Sequence, residues 1–282
     1  MATSLDTLIK QVRRFVRDWP EEDVLTASMS STTSIASVAV ATDYADGWLL
    51  EIDQEVLGSL GFNSGTDVKV RRGLRGSTAA SHASLTTVLV RPTWLLQDYV
   101  DALNWAKNEC FPKIYKDALD TSLTTLANTY EYTIPSIGGL PMRYVSKVEF
   151  KAVGAVDYRE VREYSIRRGA TPKLQFLQDQ DAGQTIRIHG YSPFPDIALG
   201  GSLDTQWPAQ GDRLLVLGAA SYLLASEESG RGRSDRPARQ AQNEEMRAGA
   251  RMNQANALDT RFRRSMVDAA LPPLPIHARP TF

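Results

Sequence analysis

Cysteine is almost absent from this 282-residue chain, which contains only Cys110. A single cysteine excludes an internal disulfide bond and every metal site built from several cysteines. Histidine is nearly as scarce: His82, His189 and His277 occur in unrelated contexts, without the spacing of paired metal ligands. The sequence therefore predicts no bound metal and no cofactor, and it predicts Cys110 to be a buried structural thiol.

Long apolar runs and a strong net charge are also missing. No apolar segment approaches the ~18 residues that a membrane span needs, and the N-terminus lacks the apolar core of a signal peptide. The 32 Lys and Arg residues nearly balance the 33 Asp and Glu residues, so the net charge is only -1. We therefore expect a protein made in the cytoplasm and without a membrane partner, whose electrostatic roles are regional.

The usual signatures of catalytic sites are absent from the sequence. There is no nucleophile elbow, phosphate-binding loop or dinucleotide fingerprint. Gly73 and Gly76 stand beside arginines, but no Lys-Ser/Thr pair follows them, which argues against a phosphate cradle. Ser81 and His82 are adjacent, and neighbouring side chains on a strand or turn point apart, which is poor geometry for a nucleophile and its base. We predict that the chain is not an enzyme.

Four segments have the apolar spacing of helices. The central one covers residues 92–115, with Thr93 as the predicted cap and Pro112 as the predicted end. An amphipathic helix is predicted at residues 4–19, and two more at 212–229 and from Ser234 to about residue 270. The helix predicted at residues 212–229 is apolar on nearly every side, so it must be covered on every side.

Two regions between these helices have the composition of strands and turns. The first region contains candidate strands at residues 35–40, 48–52, 68–72 and 87–90. The second contains candidate strands at residues 130–134, 145–150, 173–177 and 185–189, separated by glycine-bearing turns. The last twelve residues contain four prolines, which exclude a helix or a central strand and favour an extended chain.

These patterns predict an α+β fold with a helical bundle core made of the N-terminal, central and C-terminal helices. Two inserted β-rich domains and an extended C-terminal arm complete the predicted fold. The predicted boundaries are 1–22 for the N-terminal helix, 23–92 for the first β-domain, 93–120 for the central helix, 121–205 for the second β-domain, 206–270 for the C-terminal helices and 271–282 for the arm.

One stretch of the first β-region resembles a known module. It runs from a basic strand through Arg72-Gly73, Gly76-Ser77-Thr78, Ala79-Ala80 and His82 to a valine-rich strand, and an acidic strand at residues 51–55 precedes it. This pattern resembles a β-module of virion proteins from tailed bacteriophages, among them the head-to-tail connector proteins, also called adaptor or head completion proteins. It covers about a fifth of the chain. Leu85 stands where the module usually has glycine.

The order of helical and β segments is also similar to that of the connector proteins. The resemblance implies a structural function, in which twelve copies form a ring on the portal protein and prolong the DNA channel toward the tail. It implies a location in the virion neck, between capsid and tail, after assembly in the host cytoplasm. Its partners would be the portal protein, tail or neck proteins, other copies of the chain, and double-stranded DNA that passes without sequence specificity.

The resemblance also implies roles for the C-terminal helix and arm, which would hold the portal or a neighbouring subunit. The predicted partner-binding residues are Arg247, Arg251, Phe262, Leu271, Pro272, Pro273, Leu274, Pro275, Ile276 and Phe282. The predicted DNA-channel residues are Arg231, Arg233, Arg236 and Arg239. A basic helix can equally grip an acidic neighbour or form a solvated face.

Three other functions remain open at the sequence level. The same β-module occurs in tail and baseplate components, so a structural role further down the particle is the main alternative. An arginine-rich DNA-binding module and a hydrolase are the remaining two. The first would bind DNA as a monomer, and the second would need a cleft with paired catalytic groups.

Overall fold

This computed structural model describes residues 3–137, 140–167, 171–178, 180–208, 210–231, 238–270 and 279–280.

The first β-unit is a small barrel. The barrel strands are β1 (Glu21–Val24), β2 (Ile35–Ser37), β3 (Asp46–Ile52), β4 (Glu55–Ser64), β5 (Asp67–Arg71) and β6 (Thr87–Val90). They pair antiparallel in the order β1-β6-β3-β4-β5-β2.

The two outer strands of this sheet are joined just beyond their ends. Leu25 and Val38 form an antiparallel bridge, and the N–H of Thr26 donates to the carbonyl of Ser37. The sheet therefore closes on itself, which removes the open edges that an isolated sheet would present to other chains. Inside the barrel, residues such as Val68 and Val70 are buried while the alternating Lys69 and Arg71 are not.

The second β-unit is a sandwich of two antiparallel sheets around one core. Its strands are β7 (Lys116–Thr124), β8 (Glu131–Thr133), β9 (Ser136–Ile137), β10 (Leu140–Pro141), β11 (Tyr144–Lys151), β12 (Arg159–Val161), β13 (Tyr164–Arg167), β14 (Lys173–Phe176), β15 (Thr185–Ser192) and β16 (Arg279–Pro280). One sheet has the order β12-β11-β15-β7, with β16 also on β11, and the other has the order β13-β14-β8. Strands β9 and β10 form a separate ribbon. Apolar residues from both larger sheets share one buried cluster.

Four helices form the third buried cluster. They are α1 (Leu5–Val16), α2 (Leu96–Cys110), α3 (Gly211–Arg231) and α4 (Ala238–Asp268). Ser4 caps the start of α1, where its Oγ accepts the N–H of Thr7. Serine is a favoured residue at this position of a helix. At the start of α2, the carboxylate of Asp98 accepts the N–H of Leu95 at 2.7 Å, so the prediction that Thr93 caps this helix is wrong.

Helix α3 lies at the centre of the helical cluster and packs against each of the other three helices. Its residues from Leu214 to Val216 and at Leu223 and Leu224 are almost completely buried, which confirms the prediction of a helix covered on nearly every side. Gly218 permits a close approach of α2 and α3: a Cβ added there would lie 2.7 Å from the Cβ of Ala106 on α2. The four helices are thus held together by tight packing.

The predicted fold class is wrong. Most of the secondary-structure elements in the described residues are β-strands, which form antiparallel sheets. The described residues contain only four α-helices, and the helical content is 29%. Two of the three buried clusters are built from strands, so a helical bundle core with inserted β-domains does not describe this molecule. The central helix also ends at Cys110, and β7 begins at Lys116, inside the range predicted for that helix.

Candidate functional site

The residues that carry the sequence resemblance meet around the carboxylate of Glu55. One oxygen, Oε1, accepts from Arg72 Nε at 2.6 Å and from the N–H of Gly73 at 3.1 Å. The other, Oε2, accepts from Arg72 Nη2 at 2.6 Å, the N–H of Ala80 at 3.0 Å and His82 Nε2 at 2.9 Å. We call Asp53, Glu55, Arg72 and His82, with these two backbone N–H groups, the Glu55 cluster.

The sequence places Glu55 there through a tight hairpin. Strands β3 and β4 pair Ile52 with Glu55, so Asp53 and Gln54 alone form the turn, and Asp53 adopts a left-handed φ of 54°. The loop after β5 then folds over this turn. Gly73 has a φ of 62°, and a Cβ added there would lie 3.1 Å from the carbonyl oxygen of Ser77, which explains glycine at this position.

Arg72 ties the loop to a third segment of the barrel. Its Nη1 donates to the carbonyls of Ser30 and Thr33 at 2.7 and 2.8 Å, in addition to its two contacts with Glu55. All of these bonds suit a guanidinium, which offers five N–H donors in a planar fork. The Glu55 cluster therefore joins the β3–β4 turn, the segment around residue 30 and the loop from residue 72 to 82.

Both ring nitrogens of His82 are occupied by carboxylates. Nδ1 lies 2.8 Å from Asp53 Oδ2, and Nε2 lies 2.9 Å from Glu55 Oε2. Because each ring nitrogen is held by a carboxylate, neither nitrogen is directed at the hydroxyl of the neighbouring Ser81 to take its proton. The cluster is thus built to hold a loop in place, and it lacks the geometry of a nucleophile with its base.

Hydrogen bonds keep Glu55 ionised despite its burial. Burial alone would raise the pKa of this carboxyl, but the hydrogen bonds from Arg72, Ala80, His82 and Gly73 outweigh it and lower the pKa to about 2. The side chain of Glu55 is 0% exposed, and that of Arg72 is 10% exposed. The carboxylate is therefore a buried charge that is fully paired at neutral pH.

A second buried acid, Glu51, lies where the barrel meets α2. Its Oε1 accepts the N–H of Leu96 at 2.8 Å, in the first turn of the helix, while Oε2 has no partner among the described residues. Burial raises the pKa of Glu51 to about 7, although the Leu96 N–H and the charge of Arg13 act in the opposite direction. Glu51 also lines a cavity of about 520 Å³ beside the Glu55 cluster.

The sandwich carries a comparable charged group on the outer face of its larger sheet. The carboxylate of Glu149 contacts Lys147 and Arg187, each at 2.5 Å, and His189 at 2.9 Å. The guanidinium of Arg187 also stacks on the ring of Tyr158 at 3.6 Å. Burial would raise the pKa of Glu149, but these hydrogen bonds lower it to about 2. The group fixes the charged face of the sheet.

The predicted partner-binding residues fall in three different situations. Phe262 is 0% exposed and packs in the helical cluster against Gly218, so its side chain does not face a partner, and that assignment is wrong. Arg251 is half-buried on α4, and Arg247 lies on the same helix with its side chain outside the described part. The remaining residues, Leu271, Pro272, Pro273, Leu274, Pro275, Ile276 and Phe282, lie outside the described residues.

The predicted DNA-channel residues lie around the junction of α3 and α4. Arg231 is the last residue of α3, and Arg239 lies in the first turn of α4. Arg233 and Arg236 lie outside the described residues. Two other arginines of α4, Arg261 and Arg264, have exposed side chains, and Arg263 donates to Asp259 of the same helix at 2.8 Å.

Further features bear on the chemistry of the chain. Cys110 is buried and donates to the carbonyl of Ala106, and burial raises the pKa of its thiol to about 12, which confirms the predicted structural thiol. Within the described ranges, no group of three His, Cys, Asp or Glu side chains could hold a metal ion. None of the described helices is long and apolar enough to span a membrane.

Some important residues gave no signal in the sequence. Lys107 is 3% exposed on α2, and its ammonium group binds the carbonyl of Pro195 and the carboxylate of Asp196. Asn104 holds the same segment through two hydrogen bonds with Ile197. Both partners lie about 90 residues away in the chain, so only the tertiary fold reveals these contacts. By contrast, Arg72 and His82 could be found because they belong to a local pattern.

Comparison with known proteins adds no relative to this description. No protein-family model matches the chain, and no curated protein matches it.

Proposed function

We propose that this chain is a structural virion protein of a tailed bacteriophage. Copies of it form a ring, twelve in number by the resemblance, that binds the portal protein in the neck of the particle. The ring extends the DNA channel and gives the tail or neck proteins a surface to bind. Double-stranded DNA passes through this channel without sequence-specific contacts.

One observation carries the proposal: the residues of the resemblance act together in the Glu55 cluster. Arg72, Gly73, Ala80 and His82 all bind the carboxylate of Glu55, which follows the acidic strand of the same pattern. Gly76 has a φ of 82°, which a residue with a side chain rarely adopts. A chance match of residues would not bring four positions of the pattern onto one carboxylate, so this arrangement supports the identification of the module.

The module supports a place in a tailed-phage particle more directly than it supports the neck. The connector role rests additionally on the order of the elements, in which helices precede, separate and follow the two β-units. Exposed arginines of α4, such as Arg261 and Arg264, suit contacts with an acidic protein surface or with passing DNA. The closed barrel suits a structural protein because a sheet without free edges resists unwanted strand pairing.

The proposal is tested by binding to purified portal rings. The full-length chain is mixed with portal rings, and the mass of the complex is measured by native mass spectrometry. We expect a discrete complex that contains twelve copies of the chain for each portal ring. A chain that binds purified tail-tube or baseplate proteins and leaves portal rings unoccupied would instead place the protein further down the tail.

A matched pair of variants locates the binding residues. Deletion of residues 271–282 is expected to weaken the complex with the portal or the neighbouring subunit without unfolding the monomer, which loses the two-residue pairing of β16 with β11. The control is Leu119→Ala on the sandwich, where the side chain is 55% exposed and outside the proposed contact. Unchanged assembly after the deletion would show that the arm does not contribute.

The proposed channel has its own test, which uses salt. Replacement of Arg231, Arg233, Arg236 and Arg239 by alanine is expected to reduce the DNA binding of the assembled ring. It should also flatten the dependence of that binding on salt, because fewer counterions are released. DNA binding that is equally strong and equally salt-dependent in the variant ring would exclude these arginines from the channel wall.

A further inference from the structure

The last described residues of the chain add a strand to the sandwich. Strand β16 pairs antiparallel with β11, with Pro280 opposite Tyr144 and Arg279 opposite Val145. One side of β11 pairs with β15 from Tyr144 to Lys151, with one irregularity between Val145 and Lys147. On its other side, β12 pairs with residues 148–150 only. Strand β16 therefore occupies two residues, Tyr144 and Val145, of the part of this edge that β12 leaves open.

The position of β16 is suited to a strand that closes a sheet. An open edge displays unpaired N–H and C=O groups that can pair with another chain. Proline has no N–H and is therefore confined to edges, where it limits the pairing of a further strand. Pro280 lies in the outermost strand at this edge. The end of the chain thus both satisfies the edge of β11 and terminates it.

The segment that leads to β16 has the composition of a spacer. Eight residues, 271–278, separate the end of the described C-terminal helix region from β16, and three of them are prolines. Such a sequence favours an extended chain, in which eight residues reach roughly 25 Å. A chain of this kind permits the same two-residue pairing to be made within one subunit or with another subunit beside it.

We propose that, in the assembled ring, β16 of each subunit pairs with β11 of the neighbouring copy. The inference rests on the proposed ring. Exchange of an identical element costs little, because the contacts made within one copy are replaced by the same contacts between copies. Each copy donates one strand and receives one, which is the head-to-tail relation that closes a ring. The partner of this edge is therefore a second copy of this chain.

Two variants, each with one introduced cysteine, make the exchange visible. One chain carries Tyr144→Cys and the other carries Pro280→Cys, and the two are mixed in equal amounts. The two positions are Cα partners in an antiparallel pair, within the range that a disulfide can bridge. The native Cys110 is buried and does not compete. A disulfide between the introduced cysteines can then form only between different copies.

The expected result depends on the state of assembly. After oxidation of rings on the portal, a denaturing gel should show covalent dimers as a major product, whereas the unassembled mixture should show monomers. A chain that carries both cysteines should give an internal disulfide as a monomer and covalent multimers in the ring. The control pair is Lys151→Cys with Pro280→Cys, because Lys151 lies at the far end of β11 and should not cross-link.

Two outcomes separate this inference from the proposed function. Rings that assemble on the portal without cross-linked dimers would overturn the exchange and leave the adaptor role intact. Failure of both variants and of the unaltered chain to occupy portal rings would overturn the adaptor role itself. If Tyr144→Cys does not fold, Val145→Cys with Arg279→Cys, the second partner pair, asks the same question.

Discussion

A buried carboxylate can organise a long loop when its hydrogen bonds come from both ends of that loop. Glu55 accepts from two side chains and two backbone N–H groups, and its side chain is completely buried. Removal of one member of a buried charge pair leaves the other member unpaired in a low-dielectric environment. The stability of the loop from residue 72 to 82 therefore depends on this residue more than on any exposed contact.

The first prediction concerns the charge of Glu55. The variant Glu55→Gln leaves the guanidinium of Arg72 without its counter-ion, so we expect the free energy of unfolding to fall by about 3–5 kcal/mol. Urea unfolding of the monomer measures this change in the free energy of unfolding. The control is Asp259→Asn, which breaks an exposed ion pair with Arg263 and should lower the free energy of unfolding by less than about 0.5 kcal/mol. Equal losses in the two variants would contradict the role of the Glu55 cluster.

The low pKa of Glu55 also predicts how stability depends on acid. A carboxyl whose pKa falls from its usual value near 4.5 to about 2 stabilises the folded state above pH 4.5. That contribution, about 3 kcal/mol, is lost as the pH falls from 4.5 toward 2. Urea unfolding between pH 2 and pH 6 should show this slope in the native chain and a smaller one in Glu55→Gln, since Glu149 still contributes.

Glu51 predicts the opposite pH dependence. Its pKa is raised from 4.5 to about 7, so the stabilisation of the folded state that is present while Glu51 is protonated is lost as the pH rises from 4.5 to 7. The variant Glu51→Gln keeps an acceptor for the Leu96 N–H without the charge. We expect it to be more stable than the native chain by about 1–3 kcal/mol at pH 8, with little difference at pH 4. If Glu51→Gln is less stable than the native chain at pH 8, the ionised carboxylate of Glu51 stabilises the folded state and the prediction is wrong.

Leu85 gives a prediction about backbone strain. Its φ is 68°, which is an unfavourable left-handed backbone conformation for leucine. Its side chain is 78% exposed, so burial of apolar surface does not offset this strain. We expect Leu85→Gly to raise the free energy of unfolding by about 0.5–1 kcal/mol. The control is Leu119→Gly, an exposed strand residue, which should lower it. Destabilisation by Leu85→Gly would mean that the leucine makes a useful contact.

At the scale of single elements, α2 and α3 pack closely against each other at Gly218. A Cβ at Gly218 would lie 2.7 Å from the Cβ of Ala106 and 3.0 Å from Cε2 of Phe262. We expect Gly218→Ala to lower the free energy of unfolding by about 1–3 kcal/mol, because overpacking outweighs the gain in helix propensity. The exposed control Asn253→Ala should be neutral or slightly stabilising. Thermal unfolding distinguishes the two.

Helices were easier to predict from the sequence than strands, because their hydrogen bonds and apolar spacing are local. The stripe of α1 and the all-round burial of α3 follow directly from residue spacing. Strands β4 and β7 escaped prediction. Strand β4 contains two glycines and two serines, and β7 has little alternation, so only pairing with distant strands makes them strands.

At the scale of the molecule, the difference between local helical patterns and long-range strand pairing explains why the predicted fold class is wrong. The two outer strands of the barrel, β1 and β2, are joined by Leu25 and Val38, and β7 pairs with β15 some 65 residues later. Such long-range pairing turns segments of mixed composition into sheets, which a reading based on local patterns undercounts. The pattern around Arg72 and His82 could be predicted to matter, whereas Glu51 and Lys107 could not, because their partners come from other elements.

The central claim is that the chain forms a ring between portal and tail, and a cryo-EM reconstruction of the virion that contains it tests this most directly. The account predicts a twelve-fold ring in the neck, with one face on the portal and the DNA running through its centre. A reconstruction that places the chain with three-fold or six-fold symmetry among tail proteins, away from the portal, would contradict it.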